Sequence, residues 1–234
     1  MTERIESETR EPRSPLGALD DLLKRPLDGL TRADRPGTTG GSWRLALGAA
    51  LCWILYGAAA GFFQGDAQIP IAGLKAGLIV GASLLLCVPS LYVFATLMGA
   101  DLSPRRFLAV VSGFGGMIGL LLLGLLPVGW LFSVSSTSLA FVAWLHLVLW
   151  LVAVFFATRF LGEALRHTGS RPIAVFWVGL FCVVSFQVTT LFRPVLWRAP
   201  GALVFEGRKM FFLEHFGHII SEPPAPGKGG DTRK

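Results

Sequence analysis

Long apolar runs separated by short polar segments dominate the chain, and the stretch from Phe107 to Thr158 carries no Asp, Glu, Lys or Arg at all. At about 1.5 Å of rise per residue and about 30 Å of hydrocarbon, one crossing takes about 20 residues, so this stretch is long enough for two. It divides at Pro127 to Ser138, whose Pro, Gly, Trp and Ser/Thr residues suit a turn at a bilayer surface. The pattern predicts helices over Phe107 to Leu126 and Leu139 to Thr158. Three further apolar runs predict spans over Leu45 to Phe63, Ala76 to Met98 and Ile173 to Phe192. The expectation is an all-α, polytopic bundle of five transmembrane spans.

Shorter periodic segments flank these runs. Ser14 followed by Pro15 has the form of an N-cap with proline at the first helical position. Leu16, Leu19, Leu22, Leu23 and Leu27 then recur at helical spacing. Asp20 and Asp21 near the start and Lys24 and Arg25 near the end suit the helix dipole, and Pro26 should end or kink the segment. This predicts a short amphipathic helix on the membrane, holding a partner, or packed on the protein's own loops. Leu203 to Ile220, with Phe212, Phe216 and Ile220 at i, i+4 and i+8, predicts a second amphipathic helix after the last span. Met1 to Arg13 and Ser221 to Lys234 read as disordered and Thr31 to Ser42 as a linker. The organisation is a segment over 1–42, a membrane domain over 43–193 and a tail over 194–234.

Composition agrees with this pattern. Of the 234 residues 53% are hydrophobic and 15% charged, too little polar surface for a soluble globule of this size. The formal net charge of +6 is scattered over span ends with no continuous basic face, so it sets orientation rather than marking a nucleic-acid site. Arg32, Arg35, Arg44, Arg105, Arg106, Arg159, Arg166 and Arg171 fall on one side of five alternating spans, whereas the short loops opposite supply Lys75. The positive-inside rule then expects a cytoplasmic N-terminus and an external C-terminus, against the contrary weight of Arg193, Arg198, Arg208 and Lys209 in the tail. No signal peptide precedes the first span, and the Gly, Ala, Leu and Arg content suits a bacterial inner membrane.

Few residues suggest chemistry. Gly57 and Gly61, then Gly73, Gly77 and Gly81, then Gly115 and Gly119 recur at fourth positions, a spacing that brings helix backbones together within one bundle or between chains. His146, in the fourth span, is expected as a neutral hydrogen-bonding group across helices, with Gln187, Ser185 or Tyr56 as partner, or as a proton-handling group. Pro89, inside the second span, predicts a static kink or a hinge. Cys52, Cys87 and Cys182 lie in apolar runs without a CxxC pair and read as packing residues. His215 and His218, near Glu206, Glu214 and Glu222, lack the spacing of a zinc site, so neither metal nor cofactor is expected. No paired aspartates, HExxH, GxSxG or P-loop occurs, and the chain is expected not to be an enzyme.

A pre-membrane segment with Lys24, Arg25 and Pro26, followed by five close-set spans with the termini on opposite faces, resembles the layout of the Yip1-like membrane proteins over residues 16 to 193. That resemblance implies membrane organisation or partner recruitment without catalysis. The leading expectation is a non-enzymatic anchor or assembly protein contacting the bilayer and an envelope protein or a second copy of itself. The alternative is a small channel or permease for a neutral or hydrophobic solute using Pro89, His146 and Gln187.

Overall fold

The computed structural model describes residues 14–28, 40–61, 69–97, 99, 103–136, 138–166 and 171–191. These form six helices and, among the described residues, no strand: α1 (Pro15–Lys24), α2 (Gly40–Gly61), α3 (Ile69–Leu97), α4 (Pro104–Ser135), α5 (Leu139–Ala164) and α6 (Arg171–Leu191). Four of them, α2 to α5, are long and apolar enough to cross a membrane, and α6 has a shorter apolar core, Ala174–Thr189. This is an all-helical protein of membrane type. The tail helix expected at Leu203 to Ile220 and both terminal segments lie outside the described residues.

Each helix starts where local chemistry allows. Ser14 caps α1, its Oγ accepting from the Gly17 amide at 3.0 Å. The same Ser-Pro signal recurs at Ser103 and Pro104, where Ser103 Oγ accepts from the Arg106 amide at 3.2 Å and opens α4. The interval between the predicted spans Ala76 to Met98 and Phe107 to Leu126 is therefore helical from Pro104 onwards. Ser138 caps α5 through the Phe141 amide at 3.3 Å.

The larger departure is at Pro127. The expected turn over Pro127 to Ser138 is helical as far as Ser135, and residues 136–138 alone connect α4 to α5. Proline lacks the N–H that would bond four residues back, but in an apolar bundle neighbouring helices and hydroxyls offset that loss. Farther along the same helix, Ser133 Oγ donates to the Gly129 carbonyl at 2.7 Å. Likewise α3 runs unbroken through Pro89 and begins at Ile69, which places Lys75 inside the helix rather than at its start. Helix α5 continues to Ala164, past Arg159 and the predicted span end at Thr158.

The five long helices close on one another out of sequence order. Helix α2 packs on α3 and α4, α4 on α5, and α6 joins α3 to α5 on the far side. Consecutive α3 and α4 barely touch. The interior is filled from α4 and α6: Val110, Phe114, Ile118, Trp177 and Phe181 are all 0% exposed. Phe114 meets Trp177 and Phe181 edge to face, each with ring centroids 5.4 Å apart. Trp177 Nε1 donates to the Cys87 carbonyl at 2.9 Å, which ties α6 to α3 two residues before Pro89. Outward positions such as Leu85, Leu86, Leu97, Val175 and Phe176 are exposed and apolar, as a lipid-facing surface requires.

Candidate functional site

The glycine faces are consumed inside the bundle. A Cβ on Gly57 would overlap Ala76 Cβ and lie 2.9 Å from the Ala72 carbonyl oxygen, and one on Gly73 would lie 2.7 Å from the Ile54 carbonyl oxygen. Gly77 lies under Ile54, whose Cγ1 would be 2.9 Å from such a Cβ. Gly57 and Gly73 let α2 and α3 approach backbone to backbone, and Gly77 makes room for the Ile54 side chain. On α4, a Cβ on Gly115 would lie 3.0 Å from the Trp53 ring, and one on Gly119 would lie 3.0 Å from Cys52 Cβ and 3.2 Å from the Ala49 carbonyl oxygen of α2. Gly61 is buried at the end of α2, whereas Gly81 has nothing within 4 Å. The fourth-position pattern thus marks contact within one chain at every tested glycine except Gly81.

The polar group that stands out lies where α2, α4 and α5 meet. His146 is engaged at both ring nitrogens, Nδ1 by the Tyr56 hydroxyl at 2.8 Å and Nε2 by Ser133 Oγ at 3.0 Å. Counting protons gives the chain a direction. Ser133 has one hydroxyl proton and gives it to the Gly129 carbonyl, so its oxygen accepts from His146 Nε2–H. The deprotonated Nδ1 then accepts from Tyr56 O–H. Every donor in the series has an acceptor, and the imidazole is neutral with its proton on Nε2. Gly129 makes room for the ring, since a Cβ there would lie 3.2 Å from His146 Cε1.

This node is near one end of the bundle rather than at its middle. Tyr56 is five residues before the end of α2, Ser133 two before the end of α4, and His146 seven after the start of α5. Those positions are within about 3–10 Å of the helix ends along the axis. Exposed Trp130 and Trp144 occupy the same level, where amphipathic rings favour the headgroup region. A histidine at that depth costs less than one at the bilayer centre.

Of the partners expected for His146, Tyr56 is the one it has. Ser185 is 4% exposed and its Oγ has no hydrogen-bond partner, and Gln187 faces outward on α6. Ser133 was hidden from sequence reasoning because Pro127 placed it in a presumed turn. The signal that would have found it is the uncharged run continuing from Val128 to Ser135, which in lipid can stay helical past a proline.

The node sets a histidine between two hydroxyls, an arrangement that elsewhere activates a serine. Here Ser133 is 2% exposed, its proton is committed to Gly129, and the surrounding backbone is in helical hydrogen bonds. The geometry is that of an interhelical lock. Among the described residues no group of three or more His, Cys, Asp or Glu could hold a metal ion. The cysteines fit as packing residues, Cys52 and Cys87 buried and Cys182 half-buried.

Compared with known protein families, curated proteins and solved structures, the chain matches none.

Proposed function

We propose that the chain is a non-enzymatic integral membrane protein of five spans, α6 being the fifth, that anchors or assembles partners at the bilayer. The observation carrying this reading is the filled interior. Val110, Phe114, Ile118, Trp177 and Phe181 fill the space between α4 and α6 at 0% exposure, so that space holds packed side chains rather than a passage. Its partners are an envelope protein or a second copy. The contact surface is the segment Leu203 to Ile220, whose Phe and Ile residues recur at amphipathic spacing in the sequence, together with the outward faces of α3 and α6, where Gly81 and Gly179 have nothing within 4 Å. Arginine placement supports a cytoplasmic N-terminus and an external tail in a bacterial inner membrane, and the Yip1-like layout agrees with recruitment rather than catalysis.

The test is cross-linking in native membranes followed by purification of the full chain and of a variant lacking residues 203–220. A discrete complex that the deletion removes is expected. An unchanged complex, or a chain that remains monomeric throughout, overturns the assignment.

The second reading, passage of a small neutral solute, draws on the Tyr56, His146 and Ser133 node as a hydrogen-bonding station. It requires glycerol or urea flux into proteoliposomes that falls when His146 becomes Leu. Absence of flux above protein-free vesicles removes it.

A further inference from the structure

Helix α1 is not seated on loops. Ala18, Leu19 and Leu22 are buried against the long helices, and the seats are two glycines. A Cβ on Gly48 would lie 2.9 Å from both Leu19 Cγ and the Pro15 carbonyl oxygen, and one on Gly116 would lie 2.9 Å from Leu22 Cδ2. Those seats are deep. Gly48 is eight residues into α2, about 12 Å along its axis, and Gly116 is twelve residues into α4, about 18 Å. Arg44 and Arg106, the last charges before each seat, lie four and ten residues back towards the helix starts. A helix held at these seats lies on the hydrocarbon side of those arginines.

The rest of α1 suits that position. Leu16 and Leu23, seven residues apart and therefore on one face, are 73% and 67% exposed. Leu47, next to the Gly48 seat, Leu51 of α2 and Leu108 of α4 are likewise exposed and apolar. The charges are managed locally: Lys24 Nζ meets Asp20 Oδ2 at 2.8 Å, and Arg25 meets Asp28 at 3.6 Å. Paired charges on flexible stems at the edge of an embedded helix can reach the headgroups.

We propose that α1 is a lipid-embedded helix, wedged into one leaflet on Gly48 and Gly116, with Leu16 and Leu23 covered by phospholipid acyl chains. This rests on the membrane reading of the bundle but does not depend on whether the protein assembles partners. It makes α1 a helix confined to a single leaflet, beside spans that cross both.

The experiment places a nitroxide at Leu16→Cys, Leu23→Cys or Leu85→Cys in the full chain with Cys182→Ser, reconstituted in phosphatidylcholine and phosphatidylglycerol vesicles. Cys52 and Cys87 are 2% and 1% exposed and stay in place. Collision rates with oxygen, which concentrates in hydrocarbon, are compared with those of a water-soluble nickel chelate. At residues 16 and 23 oxygen should exceed nickel by a ratio of the same order as at residue 85, and Gly116→Leu should raise the nickel collision rate at residue 23. Nickel dominance at 16 and 23 with oxygen dominance at 85 overturns the proposal while leaving the bundle in the membrane. Nickel dominance at all three sites overturns the membrane reading as well. Low collision with both reagents at 16 and 23 means that protein covers them, which also refutes acyl contact.

Discussion

Replacing Gly57 and Gly81 separately by alanine tests whether the fourth-position glycines act as the coordinates place them. In sequence they belong to one class. In the structure a methyl on Gly57 overlaps Ala76 Cβ and presses on the Ala72 carbonyl, while one on Gly81 meets nothing within 4 Å. Backbone cannot rotate out of the way as a side chain can, so Gly57→Ala must push α2 from α3, an overpacking cost of about 1–3 kcal/mol. Against this, alanine improves helix propensity by about 1 kcal/mol at either site. The net expectation is about 0–2 kcal/mol of destabilisation at Gly57 and up to about 1 kcal/mol of stabilisation at Gly81, a separation of about 1–3 kcal/mol. Propensity cancels in that difference, which isolates the packing. Reversible unfolding in mixed micelles with rising dodecyl sulfate fraction, followed by circular dichroism and tryptophan fluorescence, measures both variants against the parent. Equal free energies for the two variants would refute the assignment of Gly57 to the α2–α3 contact.

Three further outcomes follow from particular contacts. Tyr56→Phe and Ser133→Ala should each cost about 0.6–1.7 kcal/mol in the same assay, and the pair should be non-additive because both bond one imidazole; strict additivity would sever the chain of hydrogen bonds. Trp177→Phe keeps a ring but loses the bond to the Cys87 carbonyl and should cost about 1 kcal/mol more than Trp53→Phe, whose Nε1 has no hydrogen-bond partner. Thermal melts of the two in detergent make the comparison, and coincident curves would contradict it. Ser103→Ala removes the cap of α4 and should cost about 1 kcal/mol locally, read as roughly fivefold faster amide exchange at Arg106; unchanged exchange would argue against the cap.

Much of the architecture was legible because lipid simplifies the rules: an uncharged run of sufficient length must bond its backbone internally and so becomes a helix. Boundaries were less legible where soluble-protein punctuation was carried into the membrane. Pro127 ended the expected third helix early, although it sits exposed on a continuous one. Ser103 and Pro104 carry the same N-cap and first-position pair as Ser14 and Pro15, and both pairs open helices. Lys75 and Arg159 mark span edges in the sequence, whereas their long stems let the backbone remain helical past them. The site was half visible. His146 and Tyr56 could be named as ionisable and hydroxyl groups within apolar helices, but Ser133 depended on the corrected boundary. The choice among Tyr56, Ser185 and Gln187 depended on helix neighbours that periodicity does not encode. For the glycines, spacing identified a close approach without saying whose backbone approached, and Gly81 carries the same pattern with no neighbour.

The out-of-order neighbours have a consequence for biogenesis. Helix α3 leaves the ribosome long before α6, yet α6 supplies the indole that bonds the Cys87 carbonyl and the rings that fill the centre. Until residue 171 and its successors have been synthesised, one flank of α3 has only lipid or an insertion chaperone beside it. Early membrane-inserted intermediates should therefore be loose assemblies that tighten together when α6 docks, and premature stop codons before that point should yield substrates for membrane quality-control proteases rather than smaller working proteins.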